Sequence, residues 1–586
     1  MVDYRINNIY QGGYSSLKPD YGDIFTGYRT SAGSLGLTTD PRSANILQEA
    51  SSKLRTGVKQ IEISAVSPEI FESIPNQQLK EVNRLSKLTG VDISVHAPII
   101  EASGISNQGF SESSRESAER QMMSAVERSH EINPDGSSPV TFHSSAVLPA
   151  PEIVKTKEGK EIGKMIVINQ ETNEIRAVKK EDKIYPGEGK VTRNVEQELD
   201  TLNNSEWING ITNLEFYKKE ADEVISKALI PLVPILEKQE KGEKIEFTQK
   251  QKIAFEQMQK ADVFLNNVEA AFNTIYNKAY KYSDDKSRKE LDRISESWIK
   301  SSEKMKEKAT KLNLPLLKSK QLDEALGNIR KITAPEVYKP LTEFAQDKTA
   351  QTFANIAFDS YKKFTDKAPI ISIENPPAGT AFSTGKELKK IVEESRKKFV
   401  ERAVKEGMPE SQAKFQAERL IGVTWDVGHI NMLRKQGYEE KDIVKETEKV
   451  APLVKHIHLS DNFGFEHTEL PMGMGNVPVK EIMEKLGKKG FEAKKIIEAG
   501  NWWQHFKNPP VKETLEAMGS PIYSMQMQPY WNQSLGFQQG YFGGYGQMLP
   551  QVNYETFGAG FSQLSTELGG QRPGAQGSRM SNRPME

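Results

Sequence analysis

The stretch Val454–Pro478, VKHIHLSDNFGFEHTELPMGMGNVP, crowds His456, His458, Asp461, His467 and Glu469 into a short span. Imidazole nitrogens and carboxylate oxygens ligate divalent ions, and they also move protons near neutral pH. The run opens as a strand in which Val454, Ile457 and Leu459 are the packing residues. A strand buried on both faces reads as continuous Val/Ile/Leu, so polar groups inside it are either hydrogen-bonded core residues or members of a site. A lone buried histidine is ordinarily the former. So many donors together point to half of a metal site. The other half is spread along the chain: His96 ends SVHAP, His143 ends VTFHSS, and Glu374 ends ISIEN. Asp426 and His429 lie three apart in TWDVGH, and Glu498 ends IIEAG. With His458, His467 and Glu469 these make nine ligand-type groups. That exceeds what one ion needs and suits a cluster of two or three.

Most of these donors close strand-like runs. Such runs fall at Leu35–Thr38, Lys59–Ser64, Asp92–His96 and Val140–His143, and again at Ile370–Glu374, Gly422–Asp426, Val454–Ser460 and Lys495–Glu498. Helix-like runs separate them, at Ala44–Leu54, Gln77–Leu88, Ser114–Ile132, Gly385–Glu406, Glu439–Lys449 and Val479–Leu486. Eight such strands with alternating helices predict an α/β fold, a closed (β/α)8 TIM barrel, whose C-terminal strand ends carry the site. The barrel halves are residues 34–150 and 365–520, and 151–364 is an insertion after strand four. Within it KMIVIN and EIRAVK flank the turn-prone QETNE and predict one or two β-hairpins. From Asn194 to Lys363 the chain turns Lys/Glu-rich and helical. There Phe255, Met258, Leu265, Val268, Phe272, Ile275 and Ala279 recur at three, four or seven, the seam of a helical hairpin or coiled coil. The insertion's charges read as solvated helix faces without chemistry. Residues 1–33 form an N-terminal extension rich in Tyr, Gly and Ser. Residues 521–586, rich in Gln, Gly and aromatics with only six charged side chains, read as a disordered tail.

Composition narrows the chemistry. In 586 residues Lys plus Arg (79) nearly balances Asp plus Glu (80), so no global field recommends nucleic acid or a membrane as partner. The absence of cysteine excludes disulfides, thiolate zinc sites and iron–sulfur clusters, leaving His, Asp and Glu as the strong ligands. The first residues lack a basic and then apolar signal-peptide pattern, and the apolar run ALIPLVPIL (228–236) is too short to span a bilayer. These features predict a soluble, cytoplasmic protein.

SVHAP, VTFHSS, ISIEN, TWDVGHI, HIHLSDN followed by GMGN, and IIEAG resemble the xylose-isomerase-like TIM-barrel superfamily, and within it most resemble the endonuclease IV (type 2 apurinic/apyrimidinic endonuclease) branch. The likeness covers about half the chain. It implies a trinuclear zinc site held by His96, His143, Glu374, Asp426, His429, His458, His467, Glu469 and Glu498, with Glu374, Glu498 and His143 catalytic. It also implies hydrolysis of a phosphodiester at abasic sites in DNA, in DNA repair. Two features depart from that branch. His467-Thr468-Glu469 stands where it has Asp-x-His, and Ile99 and Ile100 follow His-Ala-Pro where it has an aromatic. The alternative within the superfamily is a sugar or sugar-phosphate isomerase or epimerase using Mn2+ or Mg2+. It shares Glu374, Asp426, His458 and Glu498 but needs neither His96 nor His143. A third reading is a non-catalytic, metal-stabilised scaffold that presents the helical insertion or the tail to a protein partner.

Overall fold

The computed structural model describes residues 34–518 apart from 44, 57, 65–66, 137, 157–158, 188, 241–243, 245, 501, 503–505 and 507–508. The extension 1–33 and the tail 521–586 expected from composition lie outside the described residues. Eight parallel strands close into a barrel: β1 (Leu35–Thr38), β2 (Gln60–Ser64), β3 (Asp92–His96), β4 (Pro139–His143), β5 (Ile370–Glu374), β6 (Ile421–Asp426), β7 (Val454–Leu459) and β8 (Lys494–Ile497). Each strand pairs with its sequence neighbour, and β8 returns to β1 with Gly36 opposite Ile496. Glycine is required at that closure. A Cβ on Gly36 would lie 2.5 Å from the Ile496 side chain and 2.7 Å from that of Gln60.

Strands β5 and β6 show why the sheet forms here. IISIE and IGVTWD are β-branched and almost wholly buried, as strands packed on both faces must be. Helices start where the sequence supplies caps. Thr384 and Glu387 form a reciprocal capping box ahead of Gly385–Lys405, and Ser111 accepts from the Ser114 amide ahead of Glu112–Ile132. Register then sets the site. Glu374 pairs with His143 across β5–β4, His96 with Ser64 across β3–β2, and Asp426 with His458 across β6–β7. Strand-end residues of adjacent strands are thereby neighbours at one mouth of the barrel.

The chain divides into two units. Among the described residues, one comprises 34–105, 111–150 and 345–518, and the other comprises 106–110 and 151–344. The second unit departs from the sequence reading in two ways. Its N-terminal part is a sheet rather than one or two simple hairpins. Gly159–Asn169 pairs with Glu152–Thr156, with Ile175–Lys179 and with Tyr338–Pro340, while Glu181–Tyr185 and Gly189–Arg193 form a separate hairpin. Tyr338–Pro340 thus interrupts a segment that composition alone marks as helical. The long helices also form more than a two-helix seam. Val195–Glu240, Gln249–Tyr282, Asp285–Lys308 and Leu314–Ile329 share one apolar core, in which Met258, Leu265, Val268, Phe272 and Ala279 are buried and Phe255 and Ile275 pack against them. Among the described residues no helix is long and apolar enough to cross a membrane.

Candidate metal centre

Glu374 is the hub. Its side chain is fully buried at the end of β5, with Oε2 3.1 Å from His96 Nε2 and 3.3 Å from His143 Nε2. Oε1 lies 3.0 Å from His458 Nδ1, which is itself 3.2 Å from Glu498 Oε1. Two donor groups share this carboxylate, each with ligand atoms within 4.8 Å of one another: His96, His143 and Glu374, and Glu374, Asp426, His458 and Glu498. His96, His458 and Glu498 form a third, overlapping group.

Of the remaining expected ligands, His429 lies against the carboxylates of these groups, with Nδ1 3.6 Å from Glu374 Oε1 and 3.7 Å from Asp426 Oδ2. His429 and His467 approach with Nε2 atoms 2.8 Å apart, and Glu469 Oε1 is 3.7 Å from His467 Nε2. His429 Nδ1 is committed to the Asn375 carbonyl at 2.8 Å. His467 and Glu469 are each about a third exposed, and Glu469 takes a left-handed backbone (φ 45°) that costs a residue with a Cβ on the order of 1 kcal/mol. The His-Thr-Glu order therefore brings His467 to His429 while leaving Glu469 at the rim.

The donors fit a divalent cation. His96 Nδ1 lies 3.0 Å from the Ala97 carbonyl, an acceptor only, so Nδ1 carries a proton, and Nε2 faces Glu374 Oε2 at 3.1 Å. A proton on Nε2 fills that gap, and a cation that displaces it would find a nitrogen and a carboxylate oxygen together. Asp426 offers a further oxygen. Its Oδ1 caps the helix Val427–Asn431 by accepting from the His429 amide at 2.7 Å, whereas its buried Oδ2 has no hydrogen-bond partner. Nitrogen and oxygen donors without thiolate suit several divalent metals, and the residues alone do not select one.

Electrostatics separate the groups' protonation. Burial acts against charge on His96, but the hydrogen bond and charge of Glu374 outweigh it and raise the imidazole to about 9. Burial drives His143 down to about 3, beyond what the charge of Glu374 offsets, so it is neutral and ready to ligate at pH 7. Burial favours a protonated Glu374, yet the charges of His458 and His143 hold it well below the usual carboxylate range. At Glu498 burial wins: the carboxyl is pushed well above that range against the pull of His458, with Glu374 and Asp426 adding to the rise.

Asp461, in the same motif as His458, is not a ligand. Its carboxylate accepts from the amides of Asn462, Gly473 and Val477 at 2.8–3.0 Å and so folds the loop that carries His467. Gly475 lets the loop close on it, because a Cβ there would meet Asp461 Oδ1 at 2.3 Å. Sequence reasoning missed Glu62. It is fully buried on β2, with Oε2 2.8 Å from His456 Nε2 and Oε1 3.0 Å from His458 Nε2. The available signal was an acid centred in the otherwise apolar IEI of QIEIS. Beside the centre lies a cavity of about 290 Å³, lined by His96, His143 and Glu498 and by the hydroxyl-bearing Thr38, Thr39 and Ser64.

A family profile described as xylose isomerase-like TIM barrel matches residues 413–520. An uncharacterized protein of Methanocaldococcus jannaschii is 28% identical over 103 residues, which is 17% of this chain and 34% of the relative. The chain thus spans about a third of the length of the curated relative it matches. Among solved structures, a D-tagatose 3-epimerase-like protein (13% identity, TM-score 0.37, 84% of this chain and 99% of that one) and an L-ribulose 3-epimerase (8%, 0.35, 84% and 96%) are similar. The profile names the superfamily and does not single out the endonuclease IV branch. Over residues 413–520, this barrel carries the sequence signature of the xylose isomerase-like TIM barrels.

Proposed function

We propose that the chain is a divalent-metal-dependent enzyme whose substrate is a small hydroxy-carbonyl compound of the sugar class, isomerised or epimerised at a carbon next to its carbonyl. One observation carries this reading: Glu374 and Glu498 face the same nitrogen of His458, at 3.0 and 3.2 Å, in one four-donor group with Asp426, so that two carboxyls converge on one cation position. They are the pair that takes a proton from the substrate carbon and returns one. A divalent ion in this group would polarise the carbonyl and so acidify the neighbouring C–H. The cavity falls at the small end of ligand sites, and the hydroxyls on its wall suit a polyol. The assay is interconversion of an aldose–ketose and 3-epimer panel by protein loaded with Mn2+ or Mg2+. Conversion that chelation abolishes supports the reading, and a metal-replete protein inert toward the panel counts against it.

A second reading has its own observation. His96 and His143 flank Glu374 and complete a second donor group, which a one-ion isomerase does not need. Two ions sharing Glu374 suit hydrolysis of a phosphodiester, with abasic-site DNA as the substrate the sequence resemblance implies. Against it, His429, His467 and Glu469 do not gather as a third three-ligand group among the described residues. Incision of an abasic-site duplex, run beside the sugar panel, decides between the two.

A further inference from the structure

We propose that Glu62 is a positioning residue for the metal centre: its carboxylate fixes which nitrogen of His458 faces the ligand group. The inference rests on the metal reading of Glu374, Asp426, His458 and Glu498, and not on the reaction performed there. His458 is suspended between acids. Nδ1 lies 3.0 Å from Glu374 and 3.2 Å from Glu498, and Nε2 lies 3.0 Å from Glu62 Oε1 on the opposite edge of the ring. An imidazole can ligate through Nδ1 only if Nε2 keeps the hydrogen, and Nε2 keeps it when it faces a group that accepts and cannot donate. An ionised carboxylate is such a group. A hydroxyl or an amide NH2 in its place could donate to Nε2 and move the proton to Nδ1, closing the ligand position.

Glu62 is itself held for this. Ser94, its register partner on β3, donates its hydroxyl to Oε2 at 3.0 Å, and His456 Nε2 meets the same oxygen at 2.8 Å. Oε1 is thereby left to His458. The approach is 3.0 Å but out of line, so neither Glu62 Oε1 nor His458 Nε2 has a well-directed hydrogen bond. Glu62, His456 and His458 also come close enough to hold an ion themselves. That would put cations on both nitrogens of one imidazole and strip its last proton, so we assign the trio to hydrogen bonding. Carboxylates that orient ligand histidines typically change metal affinity by about 10- to 100-fold when removed.

The test is titration of the full-length, metal-stripped chain with Co2+, following the visible d–d bands, for wild type, Glu62→Gln and Ser94→Ala. Glu62→Gln should bind the same number of Co2+ ions at about 10- to 100-fold lower affinity, and Ser94→Ala should lose less in the same direction. Ser94→Ala also keeps the test alive should Glu62→Gln not fold. Long-range 1H–15N spectra of [15N]His protein loaded with Zn2+ should show His458 bound through Nδ1 and protonated at Nε2, a signature that a merely structural Glu62 would not set. Wild-type Co2+ affinity in both variants, or ligation through Nε2, would overturn the assignment. So would loss of a whole Co2+ equivalent in Glu62→Gln, because Glu62 would then be a ligand. If wild type itself takes up no Co2+, the metal reading fails with it, an outcome distinct from the others.

Discussion

In the helical insertion the buried interior is oily: Met258, Leu265, Ala261 and Leu291 are fully covered, and their neighbours in the same core are Phe272, Ile225 and Leu232. In the barrel the most deeply buried side chains include Glu62, Glu374, Asp426, His456 and His458, each at 0% exposure. Burying a Leu stabilises a fold by about 1.5–3 kcal/mol, whereas taking a carboxylate out of water costs several kcal/mol unless partners compensate. The insertion therefore spends its interior on packing, and the barrel buries charges whose desolvation is offset only by their partners. A cluster of that kind marks a candidate functional site.

The contrast can be broken most severely at its hub. Glu374→Gln keeps the shape of the side chain but removes the charge that His96, His143 and His458 share, and activity should fall by about 100- to 1000-fold or more. Because its histidines hold Glu374 below the usual carboxylate range, its charge stabilises the fold at neutral pH, and the metal-stripped variant should still fold but melt lower, which paired kinetic and calorimetric measurements would show. Loss of folding along with activity would make Glu374 a structural residue.

Leu265→Ala is the converse change, deep in the insertion's core. It should cost about 2–5 kcal/mol through lost contacts and the cavity left behind. The metal content of the barrel should not change. Denaturant melts followed by helical circular dichroism, with elemental analysis alongside, check both halves of the statement.

Lys495 sharpens the comparison inside the barrel unit. It is 1% exposed on β8, its Nζ donates to the Ala493 carbonyl, and burial lowers it to about 8. Because the folded pKa lies below the unfolded 10.5, the unfolded chain binds more protons between these values, and stability rises with pH across pH 8–10.5. The cost of burying the charge is thus fully present below about pH 8 and gone above about 10.5. Lys495→Met should raise the melting temperature by a few degrees at pH 7 and by less at pH 10.5. An equal gain at both would assign it to packing.

The smallest effect should follow removal of residues 151–344, the continuous part of the second unit. Joining 150 to 345 through a short Gly/Ser linker changes the loop-closure cost only slowly with length, about 0.6 kcal/mol per doubling. The shortened chain should still melt cooperatively and take up metal. Aggregation instead would show that the barrel depends on its insertion.

Sequence legibility followed the same divide. All eight barrel strands lie within a residue or so of the runs expected from the sequence, five of which end in His, Asp or Glu. A strand packed on both faces must stay apolar along its length, and it turns polar where it opens onto the mouth of the barrel. Those ends also led to the groups around Glu374. Glu62 escaped because QIEIS reads equally well as a half-buried strand with its acid facing solvent. Only closure of the barrel turns Glu62, with Ser94 and His456, toward the interior. The insertion's seam was visible in its spacing, but the heptad pattern does not say how many helices share it. Four do, since Leu291 and Ile294, from a helix dominated by charge, and Leu322 and Leu326, from the helix after it, complete the core. Tyr338–Pro340 escaped as well, because three residues carry no period of their own.

Metal stoichiometry tests the central claim most directly. Full-length protein purified without added metal, and then stripped and titrated with Mn2+, should hold at least one tightly bound divalent ion per chain, and Asp426→Asn should lose it while keeping the fold. Two or more zinc ions per chain, lost in part by His143→Ala, would keep the metal centre but shift the chemistry to the phosphodiesterase reading. A folded wild-type chain that neither carries nor takes up a divalent ion would contradict the account.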